Sequence, residues 1–225
     1  MTTGLLLIDD HPLFRKGLRM MLDGCDDFTV LGEAAAGRQG VEMARTLQPG
    51  LILLDLHMPG LGGMQVLDEV RQIGLDARVI VLTASLVRDE LVEALRLGAN
   101  GYLLKETEPD ELVGYVRRCN GGNVVLTDEM IRLLAQDDGK AAGAAPEPDV
   151  LLSAREAQTL GLIAQGMSNK QIARELGISD GTVKIYVKNL LRKLRLRSRL
   201  ELAAWAYRTA GGVPVQAYRP AGAWR

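Results

Sequence analysis

Leu5-Leu-Leu-Ile-Asp-Asp-His-Pro-Leu-Phe-Arg-Lys-Gly17 holds one complete unit of fold. Four apolar residues without alternation read as a strand covered on both faces. Two aspartates end it, and Pro12 stands where a helix takes its first residue, whose N–H has no helical partner. The unit then recurs. Apolar runs at residues 5–8, 29–31, 51–54, 79–82 and 102–104 start 22 to 28 residues apart. Between them lie apolar residues at helical spacing, such as Val66, Leu67, Val70, Ile73 and Leu91, Ala94, Leu95. Short buried strands alternating with amphipathic helices predict a parallel sheet with helices on both faces. Right-handed crossovers make it a five-stranded, doubly wound, flavodoxin-like sandwich with strand order 2-1-3-4-5.

After Asn120 the pattern changes. A short helix at about 128–134 leads into 136–149, a stretch rich in Ala, Asp, Gly and Pro that reads as a flexible linker. From Leu151 everything reads as helix. Ser153 caps a helix to about 165, Ser168 or Asn169 caps a short one ending at Gly177, and two more follow at about 180–194 and 198–209. The expected division is 1–123, an α/β domain; 124–149, short helix and linker; 150–210, an all-α domain of four helices; and 211–225, a disordered tail. At 225 residues the chain has room for two domains.

No apolar run approaches the ~20 residues of a membrane span. The uncharged start Met-Thr-Thr-Gly and the short first run are unlike a signal peptide. Cys25 and Cys119 form no metal-binding or redox spacing. A soluble, cytoplasmic protein is expected. Its net charge of −1 hides a division: residues 1–119 carry 12 Lys and Arg against 18 Asp and Glu, whereas residues 150–225 carry 13 against 4. An acidic front and a basic back imply that the back meets nucleic acid.

Ligands of a doubly wound sheet bind beyond the carboxyl ends of its strands. Asp9 and Asp10 end the first strand, Asp55 the third, Thr83 the fourth and Lys105 the fifth. Each residue alone is commonplace, as a helix cap or the start of a loop. Together, three converging carboxylates call for a cation, and oxygen ligands with open positions suit Mg²⁺. One carboxylate is then a nucleophile that forms an aspartyl phosphate, with the cation, Lys105 and the Thr83 hydroxyl neutralising the phosphoryl group. His11 and His57 have no third ligand spaced with them and read as loop residues.

The stretches around Leu7-Ile-Asp-Asp-His-Pro, Leu54-Asp-Leu-His-Met-Pro-Gly and Gly98-Ala-Asn-Gly-Tyr-Leu-Leu-Lys105 resemble the receiver domain of bacterial two-component response regulators, over about residues 5–120. The resemblance implies that Asp55 is the phosphoacceptor for a sensor histidine kinase. It implies that Asp10, Asp55 and the backbone carbonyl of His57 bind Mg²⁺, with Asp9 assisting. Lys105 pairs with the phosphoryl group, and Thr83 and Tyr102 form the switch pair. Where many receivers have Lys-Pro, this chain has Lys105-Glu106.

In the basic half, Val183, Val187, Leu190, Leu191 and Leu194 make a core stripe, while residues 184–199 hold seven cations and no acid. Ile172 to Lys184 reads as a short helix, a glycine turn and a Ser-capped second helix, a helix-turn-helix. Ile185 stands between Lys184 and Lys188 on the exposed side, where a thymine methyl is its natural partner. Arg192 and Lys193, two turns further on, are expected against the DNA backbone. Residues 151–209 resemble the LuxR-type DNA-binding domain of the NarL/FixJ regulators, through Leu152-Ser-Ala-Arg-Glu, residues 163–173 and Thr182-Val-Lys. That resemblance implies that Lys184, Ile185 and Lys188 read DNA, that Thr182 touches phosphate, and that the last helix pairs two subunits. The whole chain looks most like the nitrate- and nitrite-responsive branch. Gly181 and Tyr186 depart from its pattern.

The expected function is a transcription factor, not an enzyme, in which phosphorylation of Asp55 opens a form otherwise masked by attraction between acidic front and basic back. The alternative is an aspartyl-nucleophile phosphatase, which needs an acid where His57 stands. No phosphate-binding glycine loop supports a nucleotide site.

Overall fold

The computed structural model describes residues 2–135 and 152–209. The chain divides into two compact units, Met1–Gly121 and Gly122–Arg225. The expected linker at 136–149 and tail at 211–225 lie outside the described residues.

The first unit is the predicted sandwich. Its strands are β1 (Thr3–Ile8), β2 (Phe28–Ala34), β3 (Leu51–Asp55), β4 (Arg78–Thr83) and β5 (Gly101–Leu104), all parallel, in the order β2-β1-β3-β4-β5. The connecting helices are α1 (Pro12–Asp23), α2 (Gly37–Leu47), α3 (Gly63–Gln72) and α4 (Arg88–Arg96), with α5 (Pro109–Asn120) after the last strand. Helix α1 packs beside α5, while α2, α3 and α4 touch in succession. Right-handed crossovers require this split, because only the β1-to-β2 step runs the other way across the sheet. The inner strands are buried beyond their first residues, Thr3, Gly4 and Arg78; Leu5–Ile8 and Leu51–Leu54 have at most 1% exposure.

The edges needed more than apolar runs. Strand β2 extends to Ala34 by pairing with β1, with a bulge that leaves Leu31 unpaired and exposed. On β5, Tyr115 of α5 serves the open edge: its hydroxyl donates to the Tyr102 carbonyl (2.9 Å) and accepts the Tyr102 N–H (3.1 Å). A bare sheet edge is thereby closed by one buried side chain.

The second unit is helical. It contains α6 (Asp128–Ala135), α7 (Ala154–Ala164), α8 (Asn169–Leu176), α9 (Asp180–Leu194) and α10 (Arg199–Thr209). Ser153 and Glu156 cap α7 reciprocally, Gly177 ends α8 in the left-handed region (φ 64°), and the Ser179 hydroxyl accepts the Thr182 N–H to start α9. The short helix read beside the linker is seated here: α6 packs on α10, burying Met130 and Leu134, which one helical turn brings to the same face. The Val124 N–H also bonds to the Gly166 carbonyl. On α9 the core stripe is narrower than expected. Val183, Leu190 and Leu194 are buried, whereas Val187 and Leu191 are half-buried at its margin.

Candidate phosphoacceptor crevice and nucleic-acid face

The strand ends bring the predicted acidic cluster together. Asp9 and Asp55 are each 1% exposed, and Thr83 is fully buried. The Lys105 ammonium bridges them, 2.9 Å from Asp9 Oδ2 and 2.8 Å from Asp55 Oδ2, with its charge over the Phe14 ring. The remaining oxygens take backbone donors: Asp9 Oδ1 accepts from His11 N–H (2.8 Å) and Asp55 Oδ1 from His57 N–H (3.2 Å). The acid pair therefore does not cap α1 with its side chains in the ordinary way. His11 is the N-cap, and Asp9 receives its N–H. Burial raises the Asp55 pKa above the ordinary value; Lys105 opposes this, Asp9 adds to it and the His57 N–H opposes it.

Close approach of backbone supports the cluster. A Cβ at Gly63 would collide with the Asp55 carbonyl, so only glycine lets α3 start against the β3 end. The Thr83 hydroxyl donates to the Ser85 carbonyl (2.9 Å), and the Thr83 carbonyl accepts the Lys105 N–H (2.7 Å). Tyr102, 1% exposed, has its ring turned inward, and its pKa is raised to about 12, chiefly by burial and then by Glu90, against Thr83. Among the described residues no peptide bond is cis, including Lys105–Glu106.

Asp9 Oδ2 and Asp55 Oδ2 have the Lys105 ammonium as their charge partner, and Asp10 Oδ1 is buried without a hydrogen-bond partner, so the crevice gathers more carboxylate charge than one lysine balances. Asp9, Asp10, His11 and Asp55 each offer a ligand atom within 4.8 Å of the others, a set that could hold a divalent cation. Four residues surfaced that the sequence reading did not use. His11 turns its ring into this cluster. Arg15 donates to the Asp9 carbonyl. Glu90 of α4 binds the His57 ring at 2.9 Å. Tyr115 grips the Tyr102 backbone. Adjacency to the acid pair was the available signal for His11, and Arg15 lies only six residues beyond Asp9 in the same segment; Glu90 and Tyr115 depend on chain crossings with no local signature.

In the second unit, Lys184, Ile185, Lys188 and Arg192 are exposed on α9, Ile185 at 60%. Thr182 is half-buried at the helix start, its hydroxyl 2.8 Å from that of Ser179, and Lys184 pairs with Asp180 one turn back. Lys193 departs from the reading that grouped it with Arg192 against the DNA backbone. Its ammonium donates to Glu156 Oε2 at 2.7 Å, and Glu156 is buried at the start of α7. One residue of advance along a helix turns a side chain by ~100°, which takes Lys193 off Arg192's face. Burial alone would raise the Glu156 pKa, but Lys193 and the Ser153 N–H and hydroxyl outweigh it and hold it below the ordinary value. Arg199 is internal too, bonding to Asn169 Oδ1 and the Met167 carbonyl.

A receiver-type sandwich with an acidic crevice and a helix-turn-helix with an exposed cationic face together define a two-part regulator. Residues 5–117 match the response regulator receiver domain, and residues 150–206 match the bacterial regulatory proteins of the luxR family. The chain belongs to the response regulators that carry a LuxR-type DNA-binding domain. It is 45% identical over 204 residues to the nitrate/nitrite response regulator protein NarL of Escherichia coli K12, covering 90% of this chain and 94% of that one. It is 38% identical over 195 residues to NarP of the same organism, covering 87% and 90%. Among solved structures, the receiver domain of the response regulator NarL from Mycobacterium tuberculosis aligns at 36% identity and TM-score 0.52, over 54% of this chain and 98% of that one. The phosphatase reading finds no support in these relationships. No helix among the described residues is long and apolar enough to cross a membrane.

Proposed function

We propose that this chain accepts a phosphoryl group on Asp55 from a sensor histidine kinase and, so modified, binds promoter DNA as a homodimer to control transcription. The observation that carries the reading is the Lys105 ammonium held between Asp9 and Asp55 at the mouth of the sheet, in a chain that also bears a helix-turn-helix. An Asp55 carboxylate oxygen attacks phosphorus, the P–N bond of the donor phosphohistidine breaks, and the imidazole leaves with the electron pair and takes a proton. Lys105 turns from the carboxylates to the incoming phosphoryl oxygens. The single hydroxyl proton of Thr83 exchanges the Ser85 carbonyl for a phosphoryl oxygen, which frees the loop before α4. Bound Mg²⁺ supplies charge neutralisation at the phosphoryl group.

Lys184, Ile185 and Lys188 read base edges, Thr182 and Arg192 hold phosphates, and Lys193 serves the fold. Opposite charge on the two parts supports masking of the DNA face before phosphorylation. The module that binds DNA begins at Gly122, because α6 shares its core with α10. The nitrate/nitrite regulators among the relatives point to nitrate or nitrite as the ultimate signal, and the absence of a membrane-length helix among the described residues agrees with a cytoplasmic site of action. Product turnover is not part of the role.

The test is Mg²⁺-dependent labelling by phosphoramidate, followed by genome-wide footprinting. One phosphoryl group per chain, lost in Asp55→Asn, with footprints strengthened by labelling, is the expected result. Catalytic release of phosphate from many ester equivalents would overturn it.

A further inference from the structure

The chain has two histidines, and the structure uses them differently. The His57 ring is engaged by Glu90. His11 points its Nδ1 into the crevice, 2.9 Å from Asp10 Oδ1, 3.5 Å from Asp9 Oδ1 and 3.6 Å from Asp55 Oδ2. Its backbone is held for this: the N–H is bound by Asp9 Oδ1 and Pro12 follows it into α1. Asp10 Oδ1 nevertheless remains buried without a hydrogen-bond partner, although Nδ1 is 2.9 Å away.

Two neighbouring ligands, each ~2.1 Å from one octahedral ion, stand ~3 Å apart. Donor atoms from Asp9, Asp10, His11 and Asp55 all lie within 4.8 Å of one another, and the Lys105 ammonium, 3.4 Å from Nδ1, already places a positive charge in their midst. We infer that His11 Nδ1 is a nitrogen ligand of the receiver's cation site, beside Asp10 and Asp55. An all-oxygen set suits Mg²⁺; an imidazole moves preference toward first-row transition ions such as Mn²⁺. This rests on the receiver reading of the crevice.

The experiment uses the full chain with Mn²⁺ alone. Paramagnetic resonance of free Mn²⁺ gives affinity, with Mg²⁺ as competitor, and spin-echo modulation detects nitrogen bound to the ion. The expected wild-type signal is imidazole ¹⁴N modulation, replaced by ¹⁵N when only histidine is labelled. It should persist in His57→Asn and vanish in His11→Ala and His11→Gln, whose preference for Mn²⁺ over Mg²⁺ should fall ~10-fold. Tight Mn²⁺ binding without imidazole modulation in the wild type would overturn His11 as a ligand and leave the receiver site standing. No bound Mn²⁺ at all would remove both.

Discussion

The two units handle charge in opposite ways. The first hides it: Asp9 and Asp55 are almost wholly buried and share one ammonium. The second displays it: Lys184, Lys188 and Arg192 stand in solvent, while Glu156 with Lys193, and Arg199, are taken inward. A buried charge costs folding free energy and is retained where a reaction or cation needs it. An exposed cation costs the fold little and gives salt-sensitive affinity for a polyanion. Under the proposed function burial separates residues that do chemistry from residues that grip, and Lys193, drawn to Glu156 between exposed Arg192 and Arg195, serves the fold instead.

The largest effect that would break this contrast is at Asp55. Asp55→Asn should abolish Mg²⁺-dependent labelling while the far-ultraviolet circular dichroism stays native; labelling at the normal rate would mean the buried acid is not the acceptor.

Next in size is the pair of neighbours on α9. Lys193→Ala should destabilise the helical unit by ~3 kcal/mol, because Glu156 is left buried without its cation. Arg192→Ala should leave the melting temperature near wild type and instead lower DNA affinity, flattening its logarithmic salt dependence by ~0.9. The Glu156 contribution has a defined sign. Its folded pKa is depressed, so the stability is present above the unfolded glutamate value near 4.3 and is lost as pH falls through the folded value. A melt series from pH 6 to pH 3 should show this loss, and Glu156→Gln should remove it.

Smaller still is readout. Ile185→Ala should cost ~1–3 kcal/mol of discrimination at one thymine position in each half-site, with little loss on random DNA. Binding-site selection that returns the wild-type preference everywhere would take Ile185 out of the base-reading face.

The smallest effect runs in the opposite direction. Burial raises the Asp55 pKa, so ionisation there subtracts stability as pH rises from the ordinary carboxylate range through the raised value. In chelator at neutral pH, Asp55→Asn should be ~1 kcal/mol more stable than wild type. Saturating Mg²⁺ should narrow or reverse the difference, since only the wild type keeps the full ligand set. Thermal melts with and without Mg²⁺ measure both.

Strand existence and order were legible because continuous apolar runs have no other soluble home, and crossover handedness leaves few ways to connect them. The acids, hydroxyl and lysine at the strand ends were legible for the same reason, since the topology gathers those ends on one side. The helix-turn-helix was legible from its capping serines and Gly177, which are local signals. The reach of β2 beyond residue 31 was not, because Gly32 and Glu33 carry no strand pattern and are held by pairing with β1.

What the sequence by itself determined is thus what short-range chemistry controls: apolar period, caps, turns, and the residue type at each strand end. The tertiary structure alone decided which polar atoms meet. It turned His11 into the acidic crevice, gave His57 to Glu90, set Tyr115 on the β5 edge, seated α6 on α10, and drew Lys193 in to Glu156. The physical reason is that hydrogen bonds and ion pairs reach only ~3 Å and depend on direction, so their partners are chosen by where packed elements cross and not by distance along the chain.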